Sequence, residues 1–284
     1  MHSGFQHLQT PDPVFGGSIP AVVQYPTDQA AAGVTVGPFR WEASLNAPLP
    51  SGRHPLGLIS HGAGGSHLLY RELATHLACS GWIVLCAEAP RDNRNDNSLS
   101  YTDESVTNRC RHLSATLDHL LAHGQFGPAI DHGRVGLVGH SLGGCAALAL
   151  AGAQPWSRKR TPIPVTPDPR FRAAVLMAPA TGYYRGPDAL AGVTGKFLVL
   201  AGEKDNVTPA EDIRRDLRGL PPAVASEFVV IKDAGHFSFL SPFPEMMRTP
   251  DFPPAQDPPG FDRARFHREL PGIVESFLAK ALPA

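Results

Sequence analysis

Apolar and polar positions change rhythm repeatedly along this chain, and the changes mark out its elements. Ile19 to Tyr25 and Val34 to Leu45 read as two strands separated by a polar turn, which predicts an antiparallel edge within residues 1–50. Pro55 to Ser60 is a short apolar run ending in His61-Gly62-Ala63-Gly64-Gly65. Leu69, Leu73 and Leu77 then recur at helical spacing within Leu68 to Ser80, so this stretch reads as strand, glycine loop, helix. Trp82 to Ala87 predicts the next buried strand. Asn108 to His123 predicts the next helix, with Leu113, Leu117, Leu120 and Leu121 on one face. Arg134 to Val138 is largely apolar again and runs through Gly139-His140-Ser141-Leu142-Gly143-Gly144 into an Ala- and Leu-rich helix, Cys145 to Ala151. Ala173 to Ala178, Phe197 to Ala201 and Phe228 to Ile231 are short apolar runs of the kind buried on both faces of a parallel sheet, and a last helix covers Ala264 to Leu282. Strands alternating with helices imply an α/β fold: a doubly wound, mostly parallel sheet, with ligands outside the carboxyl ends of its strands.

Composition narrows the use of such a fold. The 284 residues fit one α/β domain, 1–284, with a core of ordinary size. A net charge of -1 argues against a polyanion partner, so nucleic acid is not expected. Cys79, Cys86, Cys110 and Cys145 lie in apolar or helical contexts without metal-ligand spacing, and read as buried free thiols of a reducing compartment. With no basic segment leading into an apolar run near the N-terminus and no stretch of membrane-spanning length, a cytoplasmic location without membrane attachment is expected. His119 and His123 have the i, i+4 spacing of metal ligands but no third ligand, so no metal is expected. His67 stands where a dinucleotide fingerprint needs its third small residue, so no cofactor is expected either.

The chemistry gathers at the strand ends. Gly139-His140-Ser141-Leu142-Gly143, between a strand and a helix, has the context of a nucleophile elbow. A serine at so tight a turn is strained, and side chains two residues to either side would strike the neighbouring strand and helix, which Gly139 and Gly143 avoid. Serine is a poor nucleophile at its own pKa; an imidazole must take its proton, and a carboxylate must orient that imidazole. Phe197 to Ala201 runs into Gly202-Glu203-Lys204-Asp205, and Phe228 to Ile231 runs into Lys232-Asp233-Ala234-Gly235-His236. Ser141, Asp205 and His236 are therefore the candidate catalytic residues, with Asp233 and Asp188 as alternative acids. Thr208-Pro209-Ala210-Glu211 reads as a capping box for the helix after Asp205. Oxyanion donors are expected from the backbone N–H groups of Leu142 and Ala63.

These residues resemble the α/β-hydrolase superfamily, and within it the branch of predicted dienelactone hydrolases and bacterial platelet-activating-factor acetylhydrolase-like esterases. The likeness rests on Ser60 to Ser66, Gly139 to Gly144, Ala201 to Asp205 with Val207 and Pro209, and Ala234 to Phe237. Dienelactone hydrolases use a cysteine nucleophile where this chain has Ser141. The acetylhydrolase acid would fall in Met177-Ala178-Pro179-Ala180, which has no carboxylate, and this points to Asp205. The resemblance implies an α/β-hydrolase-type sheet without a large cap domain, since the segment from Thr181 to Gly195 is short. It also implies a cofactor-free serine carboxylesterase acting on a small-molecule alkyl or aryl ester. A cutinase-like polyester or phthalate-type ester hydrolase, and a non-catalytic ligand-binding scaffold, are the alternatives. Substrate-binding residues are expected at Tyr70, Tyr183, Phe237, Phe243 and Met247, with residues 237–262 forming an apolar, proline-rich flap. The polar loop Arg91 to Glu104 is expected along another edge of the cleft.

Overall fold

The computed structural model describes residues 1–284. Its strands are β1 (His2–Pro11), β2 (Ser18–Thr27), β3 (Val34–Val36), β4 (Phe39–Trp41), β5 (Ser44–Leu45), β6 (His54–Ser60), β7 (Ile83–Ala87), β8 (Ile130–His140), β9 (Ala173–Met177), β10 (Lys196–Gly202) and β11 (Ala225–Ile231). The helices are α1 (Arg71–Cys79), α2 (Asp103–Ala122), α3 (Leu142–Leu150), α4 (Ala210–Asp216) and α5 (Arg263–Ala281). Nine strands form one sheet in the order β11-β10-β9-β8-β6-β7-β2-β1-β5, parallel from β11 through β7 and antiparallel where β2 joins β7 and β1 joins β2.

The strands alternate their side chains between two apolar layers, as the period of two requires. Ile83, Leu85 and Ala87 of β7 face the layer holding α2 and α3 residues such as Val106, Leu117, Cys145 and Leu148. Val84 and Cys86 face the other, built with Leu73 and Leu77 of α1 and Leu270, Val274 and Leu278 of α5. A methyl on Gly136 would lie 3.0 Å from Leu278 Cδ2, so this glycine allows α5 its close seat on β8. From β6 the chain winds outward through β7 in one direction and then, through α2, to β8 and onward in the other. The carboxyl ends of β6 and β8 therefore flank the switch point, where open α/β sheets bind ligands. No helix is long and apolar enough to cross a membrane.

The doubly wound, mostly parallel architecture matches the expectation, and the segment between β9 and β10 holds only turns, including a 3-10 turn at Thr181–Tyr184, in place of a cap. Three details differ. The N-terminal edge is made by β1, whose ten residues pair along the whole of β2, while Val34 to Leu45 breaks into the small β3-β4 hairpin and the two-residue β5. Polar residues scattered through His2–Pro11 hide β1 from an apolar-run reading. The β11 strand is not buried on both faces: it ends the sheet, with Val229 40% and Val230 39% exposed. Helix α2 begins at Asp103 rather than Asn108, because the Thr102 side chain accepts from Ser105 N at 3.1 Å and caps it.

Candidate active site

Ser141 follows β8 directly and precedes α3, with φ 53 and ψ −116, a backbone conformation that a non-glycine residue holds only when its surroundings impose it. The elbow glycines have the role their spacing suggests. A Cβ on Gly139 would lie 2.3 Å from Gly143 O, and one on Gly143 would lie 2.1 Å from Ser60 O. The turn closes only without those side chains.

His236 Nε2 lies 3.0 Å from Ser141 Oγ, and His236 Nδ1 lies 2.8 Å from Asp205 Oδ2. The carboxylate sets the tautomer: Nδ1 carries the proton and donates it to Asp205, leaving Nε2 to accept from the serine hydroxyl. Asp205 is held in place by Val207 N and Thr208 N, which both donate to Oδ1 at 2.8 Å, and by Thr208 Oγ1, 2.9 Å from Oδ2. Burial alone would raise the Asp205 carboxyl. The hydrogen bond and charge of His236, with the Thr208 donors, outweigh it and hold the group below the usual carboxylate range. The expected capping box at Thr208 is absent: no side chain caps α4, whose N-cap is Pro209, because the Thr208 hydroxyl is drawn to Asp205 instead. Asp233 does not approach the ring. It forms an ion pair with Lys204 at 2.6 Å, whose donated hydrogen bond keeps its carboxyl low.

The amide of Leu142 opens α3 and, as a first-turn N–H, has no acceptor within the helix. The loop carrying Ala63 packs onto Ser141 so closely that a Cβ on Gly62 would lie 3.1 Å from Ser141 Cβ. A buried ion pair that pattern reading did not single out holds this loop. Arg109 of α2 donates to Asp92 Oδ2 through Nη2 and to the His61 carbonyl at 2.7 Å through Nη1, while Gly64 N donates to Asp92 Oδ1 at 3.2 Å. His61 completes the clamp: its Nε2 accepts from Ala89 N at 3.0 Å, and its Nδ1 donates to Gly62 O at 2.7 Å. Burial, reinforced by the Arg109 charge, pushes the His61 imidazole down to about 3. Burial would raise Asp92, but the guanidinium and the Ser100 and Ser105 hydroxyls keep it below its usual range. These residues lie far apart in sequence with no motif spacing; an arginine on the core side of a predicted helix was the one available signal.

Two cavities open beside Ser141. One, of about 400 Å³, is lined by Tyr70, Phe237, Phe243 and Met247 together with His140, His236 and Phe252. The other, of about 480 Å³, is lined by Tyr183 with Leu142, Trp156, Arg158 and Thr181. The structure thus brings four of the five expected substrate-binding residues to one side of Ser141 and puts Tyr183 on the other. From the loop Arg91 to Glu104, Arg94 and Tyr101 reach the first cavity. Trp156 and Arg158, in the long connection between α3 and β9, were not anticipated. No group of three His, Cys, Asp or Glu side chains is placed to hold a metal ion.

Sheet order, elbow and hydrogen-bonded Ser-His-Asp arrangement together define an α/β-hydrolase fold. Comparison with known proteins agrees: a family model described as chlorophyllase matches residues 41–162, a region that includes the elbow but ends before Asp205 and His236. A bis(hydroxyethyl) terephthalate hydrolase from Streptomyces coelicolor is 26% identical over 58% of this chain and 45% of its own length. Cutinase 1 from Thermobifida cellulosilytica is 23% identical over 63% of this chain and 59% of its own length. The chain therefore matches less than two thirds of the length of these curated relatives. Among solved structures, a ferulic acid esterase from Streptomyces cinnamoneus superposes with a TM-score of 0.77 at 20% identity, covering 99% of this chain and 90% of the other. A dienelactone hydrolase from Anabaena variabilis superposes with a TM-score of 0.61 at 15% identity, covering 99% of this chain and 100% of the other. At these identities the superpositions establish the shared fold.

Proposed function

We propose that this protein is a serine carboxylesterase that hydrolyses small to medium alkyl or aryl esters through an acyl-enzyme on Ser141. The observation that carries the reading is the continuous chain Ser141 Oγ, His236 Nε2, His236 Nδ1, Asp205 Oδ2, whose nucleophilic end opens on a largely apolar cavity. As Oγ attacks the ester carbonyl, His236 takes the serine proton and becomes an imidazolium opposite the Asp205 carboxylate. The Leu142 and Ala63 amides supply hydrogen bonds to the oxyanion; in comparable sites one such donor is worth roughly 3 to 4 kcal/mol of transition-state stabilisation. His236 then returns the proton to the leaving alcohol, and water, activated by the same ring, releases the acid.

The relatives' names place ester hydrolysis in this company, and the aromatic lining by Phe39, Phe237, Phe243 and Phe252 supports aryl as well as alkyl esters. The cutinase relatives favour a second reading, a polyester or phthalate-type ester hydrolase working by the same chemistry. All four cysteines are free thiols, which supports a reducing, cytoplasmic setting. The two apolar layers around one sheet support one domain over 1–284, and Phe237, Phe243, Met247 and Phe252 on the wall of the first cavity support 237–262 as a flap at the site.

Incubation with a fluorophosphonate, followed by mass spectrometry of the labelled peptide, should place the adduct on Ser141, and Ser141→Ala should lose both labelling and hydrolysis of p-nitrophenyl butyrate. Labelling elsewhere, or full turnover by Ser141→Ala, would overturn the proposal.

A further inference from the structure

Ala63, Tyr101, Ser141 and Val207 line both cavities, so the reacting carbonyl sits where the two meet. Their roles are unequal because His236 lines only the first. If Ser141 is acylated as proposed above, on which this inference rests, His236 must deliver a proton to the leaving oxygen. The alcohol then occupies the cavity that His236 lines, among Phe39, Phe243 and Phe252 with Arg94 also on its wall. The acyl group is left with the second cavity.

That second wall has unspent polar capacity of one kind. Asp212 is taken by Arg185 at 3.4 Å and Arg215 at 2.7 Å, and Asp216 by Arg185 at 2.9 Å and Arg215 at 3.2 Å. Thr181 Oγ1 also donates to Asp216, at 3.0 Å. Asp212 and Asp216 are thus committed to Arg185 and Arg215, and Arg158, exposed on the cavity wall, forms no ion pair. Arg160 continues the positive rim in a neighbouring groove that shares Trp156, Arg158 and Arg185 with the cavity. Free donors and an unpaired positive charge call for an anionic acceptor.

We propose that the second cavity receives an acyl group ending in a carboxylate, so that the substrate is a half-ester of a dicarboxylic acid. Ser141 Oγ bonds to the ester carbonyl carbon while the bond from that carbon to the alcohol oxygen breaks, and the serine proton passes through His236 to the alcohol. Water then adds to the acyl-enzyme, its proton returns to Ser141, and the dicarboxylate leaves.

Three benzyl esters of similar reach test this: monobenzyl adipate, benzyl heptanoate and benzyl 6-aminohexanoate, with anionic, neutral and cationic acyl termini. At low salt the anionic ester should exceed the cationic one in kcat/KM by about ten-fold, and the gap should narrow as salt screens the exposed guanidinium. Arg158→Gln should lower the anionic-to-neutral ratio about five-fold, the scale of an exposed ion pair, and Arg158→Glu should reverse the order of the charged esters. An order unchanged in Arg158→Glu, with benzyl heptanoate still hydrolysed and Ser141 still labelled by a fluorophosphonate, would overturn this inference alone. Loss of labelling and of all turnover in the unsubstituted protein would overturn the esterase reading and this inference with it.

Discussion

The imidazole of His140 donates through Nε2 to the backbone carbonyl of His236 at 2.9 Å, tying the residue before the proposed nucleophile to the proposed base. The two rings also lie 4.9 Å apart between centroids. His140 is buried, and burial, with the neighbouring His236, pushes its pKa down to about 3, so it acts as a neutral, fixed donor. His140→Phe keeps a ring but leaves that carbonyl unpaired, at about 1 to 3 kcal/mol. We expect lower urea stability and a kcat reduced about ten-fold with KM little changed, from loosened placement of the base. A variant with unaltered kcat would show that His140 only fills space.

Arg109 and Asp92 form a pair whose side chains are only 3% and 2% exposed, and both bind the loop that presents Ala63. Arg109→Met strands the Asp92 carboxylate and should cost about 3 to 5 kcal/mol, while adding Asp92→Asn should recover part of it. Chemical denaturation of the two single variants and the double variant checks this; a fully additive double variant would contradict the coupling.

Asp205→Asn places an amide where the carboxylate accepts from His236 Nδ1. It should lower kcat by a factor of order 10⁴, by losing both the productive tautomer and the partner of the imidazolium. Asp233→Asn should stay close to the parent, since Asp233 is engaged with Lys204. Steady-state kinetics on both would reverse the assignment if the losses were exchanged.

Phe243 and Met247 both line the first cavity, but Phe243 is 2% exposed, packed on Phe252 with ring centroids 5.3 Å apart, whereas Met247 is half-buried. Phe243→Ala should therefore cost about 3 to 5 kcal/mol of stability in addition to altering selectivity. Met247→Ala should change the kcat/KM ratio of long- to short-alcohol esters with little loss of stability, each desolvated substrate methylene being worth about 0.8 kcal/mol. An alcohol-length series on both variants separates the effects, and unchanged ratios would remove the flap from substrate choice.

Acid should destabilise the fold in two stages. His61 and His140 are pushed to about 3 and His267 to about 4, chiefly by burial. Unfolded, each titrates near ~6.5, so below that pH the unfolded chain takes up protons that the folded chain refuses, and each histidine removes stability at up to about 1.4 kcal/mol per pH unit. Asp92 and Asp205, held below the usual range, stabilise the fold above the ordinary carboxylate pKa and lose that contribution as pH falls through their lowered values. The urea midpoint should be flat above pH 7 and fall from about pH 6.5 downward. A midpoint constant from pH 7 to 5 would contradict the buried neutral histidines.

The alternating strands and helices, the strained turn at Ser141, and the strand ends that carry Asp205 and His236 are legible in the residue order, because each depends on local periodicity or on a steric demand for glycine within a few residues. The same order also points to the apolar segment after His236. Tertiary structure alone decided how distant groups spend their hydrogen bonds. The Thr208 hydroxyl went to Asp205 rather than to a helix cap, Arg109 reached across from α2 to pin the loop that carries Ala63, and Arg158 was left unpaired beside Trp156. It also made the apolar run Phe228 to Ile231 an exposed sheet edge, since hydrophobicity shows that a strand forms but not whether another strand will lie beside it. Each of these outcomes is a competition among partners brought together only by the fold.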